Sequence, residues 1–275
     1  MSIMISLKLL KMITIKTKKE VEVMHMGGRY LKSVIDSLGQ KISAGLSGVE
    51  IEEMAEKMIK ESGGKSNFKG QDGFPSCLCF SINEEIVHGV PDERVLKDGD
   101  IVTIDIGIFF PLNVFLKGDI DYSKYPNLKK GFNTDMARTY IIGEVDSEVK
   151  RLVRANKKAL KRGISRVGPG NTFGQVGEAI ERFSDKQGFG VIKNLCGHGI
   201  GAKLHEEPDV LNYGRKKDGE MMEEGMVFCI EPMLSLGSDE IKKKGTAYVT
   251  ADDSLSAHFE DMVAVTKSGV VVLTE

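Results

Sequence analysis

The sequence has no tryptophan, only four cysteines in 275 residues, and no excess of either charge, since its formal net charge is −2. The near-neutral charge gives no electrostatic reason to expect a nucleic-acid or membrane partner. No Cys-x-x-Cys pair occurs among Cys77, Cys79, Cys196 and Cys229. A chain of this length does not need disulfides, so we expect a protein of the reducing cytoplasm.

The first residues, MSIMISLKLLKM, lack the basic leading region, the long apolar stretch and the small-residue cleavage site of a signal peptide. No later run approaches the roughly 18 apolar residues of a membrane helix. Folding signals begin only after Met12. We therefore interpret residues 1–11 as a tail or an upstream start, and residues 12–275 as a single domain of ordinary globular composition.

Two rounds of one pattern, a helix pair followed by strands, divide this domain into halves of about 12–143 and 144–275. The predicted helices carry capping or terminating signals: Thr17 with Glu20, Ser47 with Glu50, a helix from 147 to about 164, and Thr172 with Gln175 ending at Gly188. The predicted strands are apolar runs at 76–82, 85–90, 101–108, 191–195, 226–231, 247–250, 262–266 and 270–273. Helix pairs on one face of a mostly antiparallel sheet indicate an α+β fold.

Segment 109–131 breaks the pattern, because proline and glycine recur in it among five aromatic residues. Antiparallel strands are usually joined by about 2–5 residues. We interpret 109–131 as an inserted loop near the functional site and expect it to be dispensable for folding.

Five residues with metal-binding side chains are scattered along the chain: Asp105, Asp135, His198, Glu231 and Glu260. Each alone has an ordinary structural explanation, such as a paired strand carboxylate or a turn histidine between glycines. Together they would place four carboxylates close enough to repel, and these could not all stay ionised at neutral pH. Two divalent cations would balance them, and one histidine with oxygen ligands suits Mn²⁺, Fe²⁺ or Co²⁺. Two ions sharing a water can lower its pKa and polarise a carbonyl.

Two further histidines, His88 and His205, are predicted to act as hydrogen-bond donors. A histidine before glycine, as at His88, is by itself more typical of a surface turn.

Five ordered blocks, at 81–92, 99–105, 197–208, 228–233 and 256–260, resemble the signature segments of type I, bacterial-type methionine aminopeptidases. The resemblance runs from Met12 to the C-terminus with one insertion. It implies the pita-bread fold, with two pseudo-symmetric halves around the sheet. It also implies a monomeric cytoplasmic hydrolase that removes the initiator methionine from nascent polypeptides, with transient ribosome association and without nucleic acid or membrane.

The resemblance also implies a role for each candidate residue in metal binding, catalysis or substrate binding. Asp105 chelates one metal ion, His198 and Glu231 hold the other, and Asp135 and Glu260 bridge both. The ions would be Co²⁺, Mn²⁺ or Fe²⁺, with Zn²⁺ as a further option, and one would bind the substrate's free amino group. Glu231 moves the proton of the bridging water, and His205 stabilises the oxygen of the tetrahedral intermediate. His88 holds the scissile amide, and Phe74 and Cys79 join the two histidines in binding substrate.

The sequence departs from the family pattern in three places. The long segment before Asp135 contains the rival acids Asp119 and Asp121, and we prefer Asp135 because a strand-like run follows it. In the methionine pocket, relatives often carry phenylalanine at Leu204 and tryptophan near Thr246, so we expect weaker discrimination against leucine or norleucine. The usual pocket tyrosine is Phe74 here.

Two other functions compete with this prediction. Proline-specific (Xaa-Pro) peptidases share the fold but carry a substantial N-terminal domain, whereas the first predicted helix here begins near Lys18. Non-catalytic binding modules of the fold lose metal ligands, whereas all five are present here. Release of methionine from a peptide by metal-reconstituted protein would separate the three.

Overall fold

The computed structural model describes residues 12–275, so the predicted tail at 1–11 lies outside the described residues. The helices are α1 (Lys18–Gly39), α2 (Gly48–Glu61), α3 (Ser147–Ile164) and α4 (Phe173–Gln187). The strands are β1 (Lys65–Ser66), β2 (Leu78–Ile82), β3 (Glu85–Val87), β4 (Ile101–Phe110), β5 (Phe132–Ile141), β6 (Gly190–Val191), β7 (Cys196–Gly199), β8 (Glu206–Leu211), β9 (Val227–Ile230), β10 (Met233–Ser235), β11 (Ile241–Lys244), β12 (Ala247–Thr250), β13 (Ser256–His258), β14 (Asp261–Thr266) and β15 (Gly269–Val272).

Capping chemistry explains where the helices begin. The predicted capping boxes at Thr17 and Ser47 are confirmed, since each hydroxyl accepts the backbone N–H three residues on. The predicted box at Thr172 is wrong. This residue precedes α4, but its hydroxyl donates to the Lys216 carbonyl oxygen at 2.7 Å and caps nothing. At the other end, Gly188 adopts φ 76°, the left-handed conformation that favours glycine, and ends the helix as predicted.

All strand pairings among the described residues are antiparallel, which confirms the α+β prediction. The first half is built on β4 and β5, which pair over their whole length, and the second on the order β15-β14-β9-β7-β8. The halves meet where the Glu260 N–H donates to the Ala137 carbonyl oxygen at 3.0 Å and the His258 N–H donates to Thr139 Oγ1 at 2.9 Å. One predicted strand, 191–195, is interrupted in the structure, because the exposed Lys193 and Asn194 separate β6 from β7.

Each half has its own hydrophobic core. One core packs the apolar faces of α1 and α2 against β2, β4 and β5, and the other packs α3 and α4 against β9, β13 and β14. The helices thus cover one face of the strands. The site forms on the part of the sheets that the helices leave uncovered. Within residues 12–275 no helix combines the length and the apolar character that a bilayer crossing requires.

The inserted segment is more integrated than the sequence suggested. β4 continues through Phe110, so the connection spans 111–131, with 3₁₀ turns at Leu112–Val114 and Tyr122–Lys124. Its Leu112, Tyr125 and Leu128 are buried in the core beside α1. Asn127 donates from its backbone N–H to Glu20 Oε1 at 2.6 Å and from Nδ2 to Glu20 Oε2 at 2.9 Å.

These contacts tie the segment to the first turn of α1, where Glu20 is fully buried. They argue against the expectation that the segment is dispensable for folding, which stays a prediction to be tested by shortening it. Its apolar residues alternate with Pro and Gly, and the helical and strand periods that identify core residues in a sequence are missing from it.

Candidate metal centre

The first two predicted ligands lie on the central strand pair. Asp105 of β4 pairs with Ala137, and Asp135 of β5 pairs with Gly107, so the two carboxylates are diagonal neighbours on one face. Both are buried, at 9% and 3% exposure. The rival acids are elsewhere: Asp119 and Asp121 are exposed, and the Asp121 carboxylate accepts hydrogen bonds from Ser123.

The other three ligands come from the second half. His198 lies on β7, Glu231 follows β9, and Glu260 lies between β13 and β14. The backbone bond from Glu260 to Ala137 places its side chain beside Asp105 and Asp135. All five predicted ligands thus converge on one spot, here called the floor (Asp105, Asp135, His198, Glu231 and Glu260).

The distances within the floor leave room for ions. His198 Nε2 lies 3.8 Å from Asp135 Oδ2 and 3.7 Å from Glu231 Oε1, too far for hydrogen bonds. Ligand atoms bound to one ion at about 2.1 Å lie roughly 3–3.5 Å apart, so these gaps are close to that spacing. Ligand atoms of Asp105, Asp135 and Glu260 lie within 4.8 Å of one another, and so do those of His198, Cys229 and Glu260. Glu260 therefore belongs to two adjoining groups.

The electrostatics of the floor also call for cations. Burial raises the pKa of Asp135, Glu231 and Glu260 well above ordinary carboxyl values, and their mutual repulsion adds to this. Burial also raises the pKa of Asp105 to about 6, against the opposing effect of His258. Asp105 Oδ1 and Glu260 Oε1 are buried without a hydrogen-bond partner among the described residues. The residues fit divalent metal ions, which would satisfy these oxygens and offset the negative charge of the carboxylates.

His198 is prepared to bind an ion through one nitrogen. Burial lowers the pKa of His198 to about 3, so the imidazole is neutral at pH 7. Its Nδ1 lies 3.0 Å from the Gly199 carbonyl oxygen and donates to it, which leaves Nε2 unprotonated toward the carboxylates.

The floor lies at the bottom of an open cleft of about 1000 Å³. Its apolar side, here called the wall, consists of Phe68, Phe74, Cys79, Leu204 and Tyr248. The two remaining predicted histidines also line the cleft. The His205 ring centre lies 4.5 Å from that of His198, and the His88 ring centre lies 5.8 Å from that of Tyr248.

Four residues at the site were not singled out from the sequence. His258 and Cys229 adjoin the floor, and each stands two positions before a ligand, Glu260 and Glu231 respectively. Alternation along a strand puts such residues on the ligand's face, and this signal could have identified both. Phe68 and Tyr248 of the wall had no comparable signal in the sequence.

Comparisons with known proteins find similar sequences over almost the whole chain. The model of metallopeptidase family M24 matches residues 22–112 and 125–267, and the interval between them falls inside the inserted segment. A methionine aminopeptidase of Clostridium perfringens is 36% identical over 96% of this chain and 99% of its own length.

Solved structures give the same picture. The crystal structure of methionine aminopeptidase from Rickettsia prowazekii superposes with a TM-score of 0.86 at 31% identity, covering 96% of this chain and 100% of that chain. A prolidase from Pyrococcus horikoshii shares the fold at a TM-score of 0.71 and 21% identity. The match covers 95% of this chain but only 63% of the prolidase.

Proposed function

The chain belongs to metallopeptidase family M24, among its methionine aminopeptidases, and we propose that it removes the initiator methionine from newly made polypeptides. The observation that carries this proposal is the floor itself. Four buried carboxylates and one neutral imidazole meet at the bottom of a cleft whose wall is apolar. This arrangement suits hydrolysis next to an unbranched apolar side chain.

We propose that the floor binds two divalent ions, with Asp105 on one, His198 and Glu231 on the other, and Asp135 and Glu260 shared. The membership of Glu260 in both ligand groups supports this division. When bound, the ions would lower the pKa of a shared water and polarise the scissile carbonyl. Oxygen ligands with one histidine favour Co²⁺, Mn²⁺ or Fe²⁺, and Zn²⁺ is also compatible with the set.

Glu231 is the residue that we propose to move the proton. Its carboxylate accepts a proton from the attacking water and passes it to the leaving amine, so that the peptide bond is broken and no proton is gained or lost overall. Burial raises the pKa of Glu231 above the usual carboxyl value, which makes its carboxylate a stronger base. Asn212 Nδ2 donates to the Glu231 carbonyl oxygen at 3.1 Å and fixes the backbone at this point.

His205 and His88 bind the reacting amide in this proposal. Burial lowers the pKa of both, so each is neutral at pH 7 and retains one N–H to donate. His205 donates to the carbonyl oxygen as it gains negative charge, and His88 donates to the scissile amide. His88 has φ 61°, which is costly outside glycine, and Thr246 Oγ1 donates to its carbonyl oxygen at 3.0 Å.

We propose that residues 12–275 act as one catalytic domain, because the first half supplies two of the proposed ligands and the second half supplies three. We further propose a cytoplasmic monomer that contacts the ribosome transiently. The four cysteines are free, as expected of a reducing compartment. Phe74 and Cys79, together with the two histidines, are proposed to bind the substrate. Gel filtration and co-sedimentation with ribosomes check the oligomeric state and the ribosome contact.

The test is release of methionine from Met-Ala-Ser by stripped protein after addition of Co²⁺, Mn²⁺, Fe²⁺ or Zn²⁺. N-acetyl-Met-Ala-Ser is the matched control, because it keeps the side chain and removes the free amino group. We expect rapid release from the first peptide and none from the second. Cleavage confined to Xaa-Pro peptides, or no cleavage with any ion, would contradict the proposal.

A further inference from the structure

His258 is a buried imidazole for which the proposed reaction has no use. Its exposure is 1%, and neither ring nitrogen has a hydrogen-bond partner among the described residues. Leaving buried polar atoms unpaired costs free energy, and most native proteins avoid it. A buried side chain of this kind beside the floor therefore calls for a partner.

The geometry identifies Glu231 as that partner. His258 Nε2 lies 3.5 Å from Glu231 Oε2, while the other oxygen, Oε1, lies 3.7 Å from His198 Nε2. The carboxylate thus presents one oxygen to the imidazole behind it and the other to the floor. The first contact is slightly longer than a normal hydrogen bond.

The backbones on both sides of this contact are fixed. The His258 N–H donates to Thr139 Oγ1 at 2.9 Å, the His258 carbonyl oxygen lies 2.8 Å from the same hydroxyl, and β13 pairs His258 with Met233. Glu231 is held through its own carbonyl oxygen by Asn212. The two side chains therefore approach from rigid supports, as a precise hydrogen bond requires.

We propose that His258 is a positioning residue for Glu231. Its Nε2–H donates to Oε2 and holds the carboxylate so that Oε1 points at the ion and the attacking water. The inference rests on the role proposed for Glu231. Hydrogen bonds to ligating carboxylates typically change metal affinity or activity by about 10–100-fold when they are removed.

Two substitutions separate positioning from simple filling of space. His258→Leu keeps most of the volume and removes the donor, whereas His258→Gln keeps an N–H. Stripped protein is titrated with Co²⁺ by calorimetry, and kcat and KM for Met-Ala-Ser are measured in parallel. We expect His258→Leu to lose about 10–100-fold in Co²⁺ affinity and in kcat with little change in KM, and His258→Gln to recover most of both. Ser184→Ala, which removes a buried hydroxyl inside α4, should change neither.

A double-mutant cycle tests whether His258 acts through Glu231. In a Glu231→Gln background, the further change His258→Leu should cost little additional Co²⁺ affinity, because the group being positioned is already altered. Additive losses, an unchanged affinity in His258→Leu, or a His258→Gln variant that folds normally and is as impaired as His258→Leu would each overturn the proposal. A wild-type protein that binds Co²⁺ and releases no methionine overturns the proposed function instead, since the affinity measurements still test His258.

Discussion

The floor and the wall of the cleft are built in different ways. Every floor residue lies on a strand or directly beside one. Backbone pairing or a backbone hydrogen bond holds Asp105, Asp135, His198 and Glu260, and the Asn212 side chain holds the Glu231 backbone. The wall takes Phe68 and Phe74 from the irregular segment between β1 and β2, Leu204 from the segment between β7 and β8, and Tyr248 from the short strand β12, whereas Cys79 lies in β2 and pairs with Asp105. The chemistry thus rests on the central strands, and most of the wall rests on loops and a short strand.

This difference sets how each region tolerates change. A slip of one residue on β4 or β5 would turn Asp105 or Asp135 to the opposite face of the sheet. No neighbouring residue could replace the lost charge in the floor. The wall needs only apolar volume of suitable shape, which several side chains can supply. Substitutions should therefore affect the floor much more strongly than the wall, and the predictions below test this ranking.

The largest effect is expected at Asp135. Asp135→Asn removes a charge that we propose both ions share, so turnover of Met-Ala-Ser should fall below detection and metal occupancy should drop. Asp121→Asn is the matched control, because it makes the same change on the exposed part of the inserted segment. The measurements are bound metal per protein and the hydrolysis rate. An inactive Asp121→Asn with an active Asp135→Asn would mean that the wrong acid has been placed in the floor.

The next effect is expected at His205, where the floor meets the open cleft. His205→Ala should lower kcat by about 10²–10³ with little change in KM, because the proposed hydrogen bond strengthens only as the oxygen becomes negative. His25→Ala, on α1 away from the cleft, is the control and should retain full turnover. Steady-state kinetics on Met-Ala-Ser measure both values. A raised KM with unchanged kcat would assign His205 to binding of the ground state.

Removing the metal should have a somewhat smaller effect, this time on stability. An ion present at 100 times its dissociation constant stabilises the fold by about 2.7 kcal/mol, so adding Co²⁺ to stripped protein should raise Tm by several degrees. Leu204→Ala in the wall should show the same rise, and Asp135→Asn in the floor should not. Thermal unfolding with and without Co²⁺ measures the difference. An equal rise in Asp135→Asn would place the bound ions outside the floor.

Sequence reasoning reached the floor, the helices and the wall residues Phe74, Cys79 and Leu204, but not Phe68, Tyr248 or the contacts of the inserted segment. The amphipathic period and the capping boxes predicted α1 and α2, because both signals are local. Asp105 and Glu231 could be picked out because a carboxylate within an apolar strand needs an explanation. Phe68 and Tyr248 needed no such explanation, since an aromatic residue of a folded domain usually belongs to the hydrophobic core.

The remaining misses have tertiary causes. Whether Thr172 caps α4 is decided by the Lys216 carbonyl oxygen, which lies 44 positions away. Segment 111–131 is linked to α1 by Glu20, whose carboxylate accepts hydrogen bonds from the Asn127 backbone and side-chain amides, and this long-range pairing has no trace in the local sequence. The role inferred for His258 likewise rests on a contact between β13 and the residue after β9.

The smallest effect is expected in the wall, at Tyr248. Contacts between sulfur and an aromatic ring contribute roughly 0.3–1.5 kcal/mol, and about 1.4 kcal/mol is tenfold in rate. The sequence predicted weaker selectivity because Leu204 and Thr246 replace aromatic surface. Tyr248 lines the cleft, and we expect its ring to replace part of that aromatic surface. Tyr248→Leu should therefore reduce the preference for methionine over leucine or norleucine by up to about tenfold, whereas Tyr248→Phe should keep it. The measurement is the ratio of kcat/KM on Met-, Leu- and norleucine-Ala-Ser, because any disturbance of the neighbouring His88 cancels in that ratio. An unchanged ratio in Tyr248→Leu would mean that the substrate thioether contacts Phe68 or Phe74 instead. A loss of activity as large as that of His205→Ala would show that the wall is as constrained as the floor.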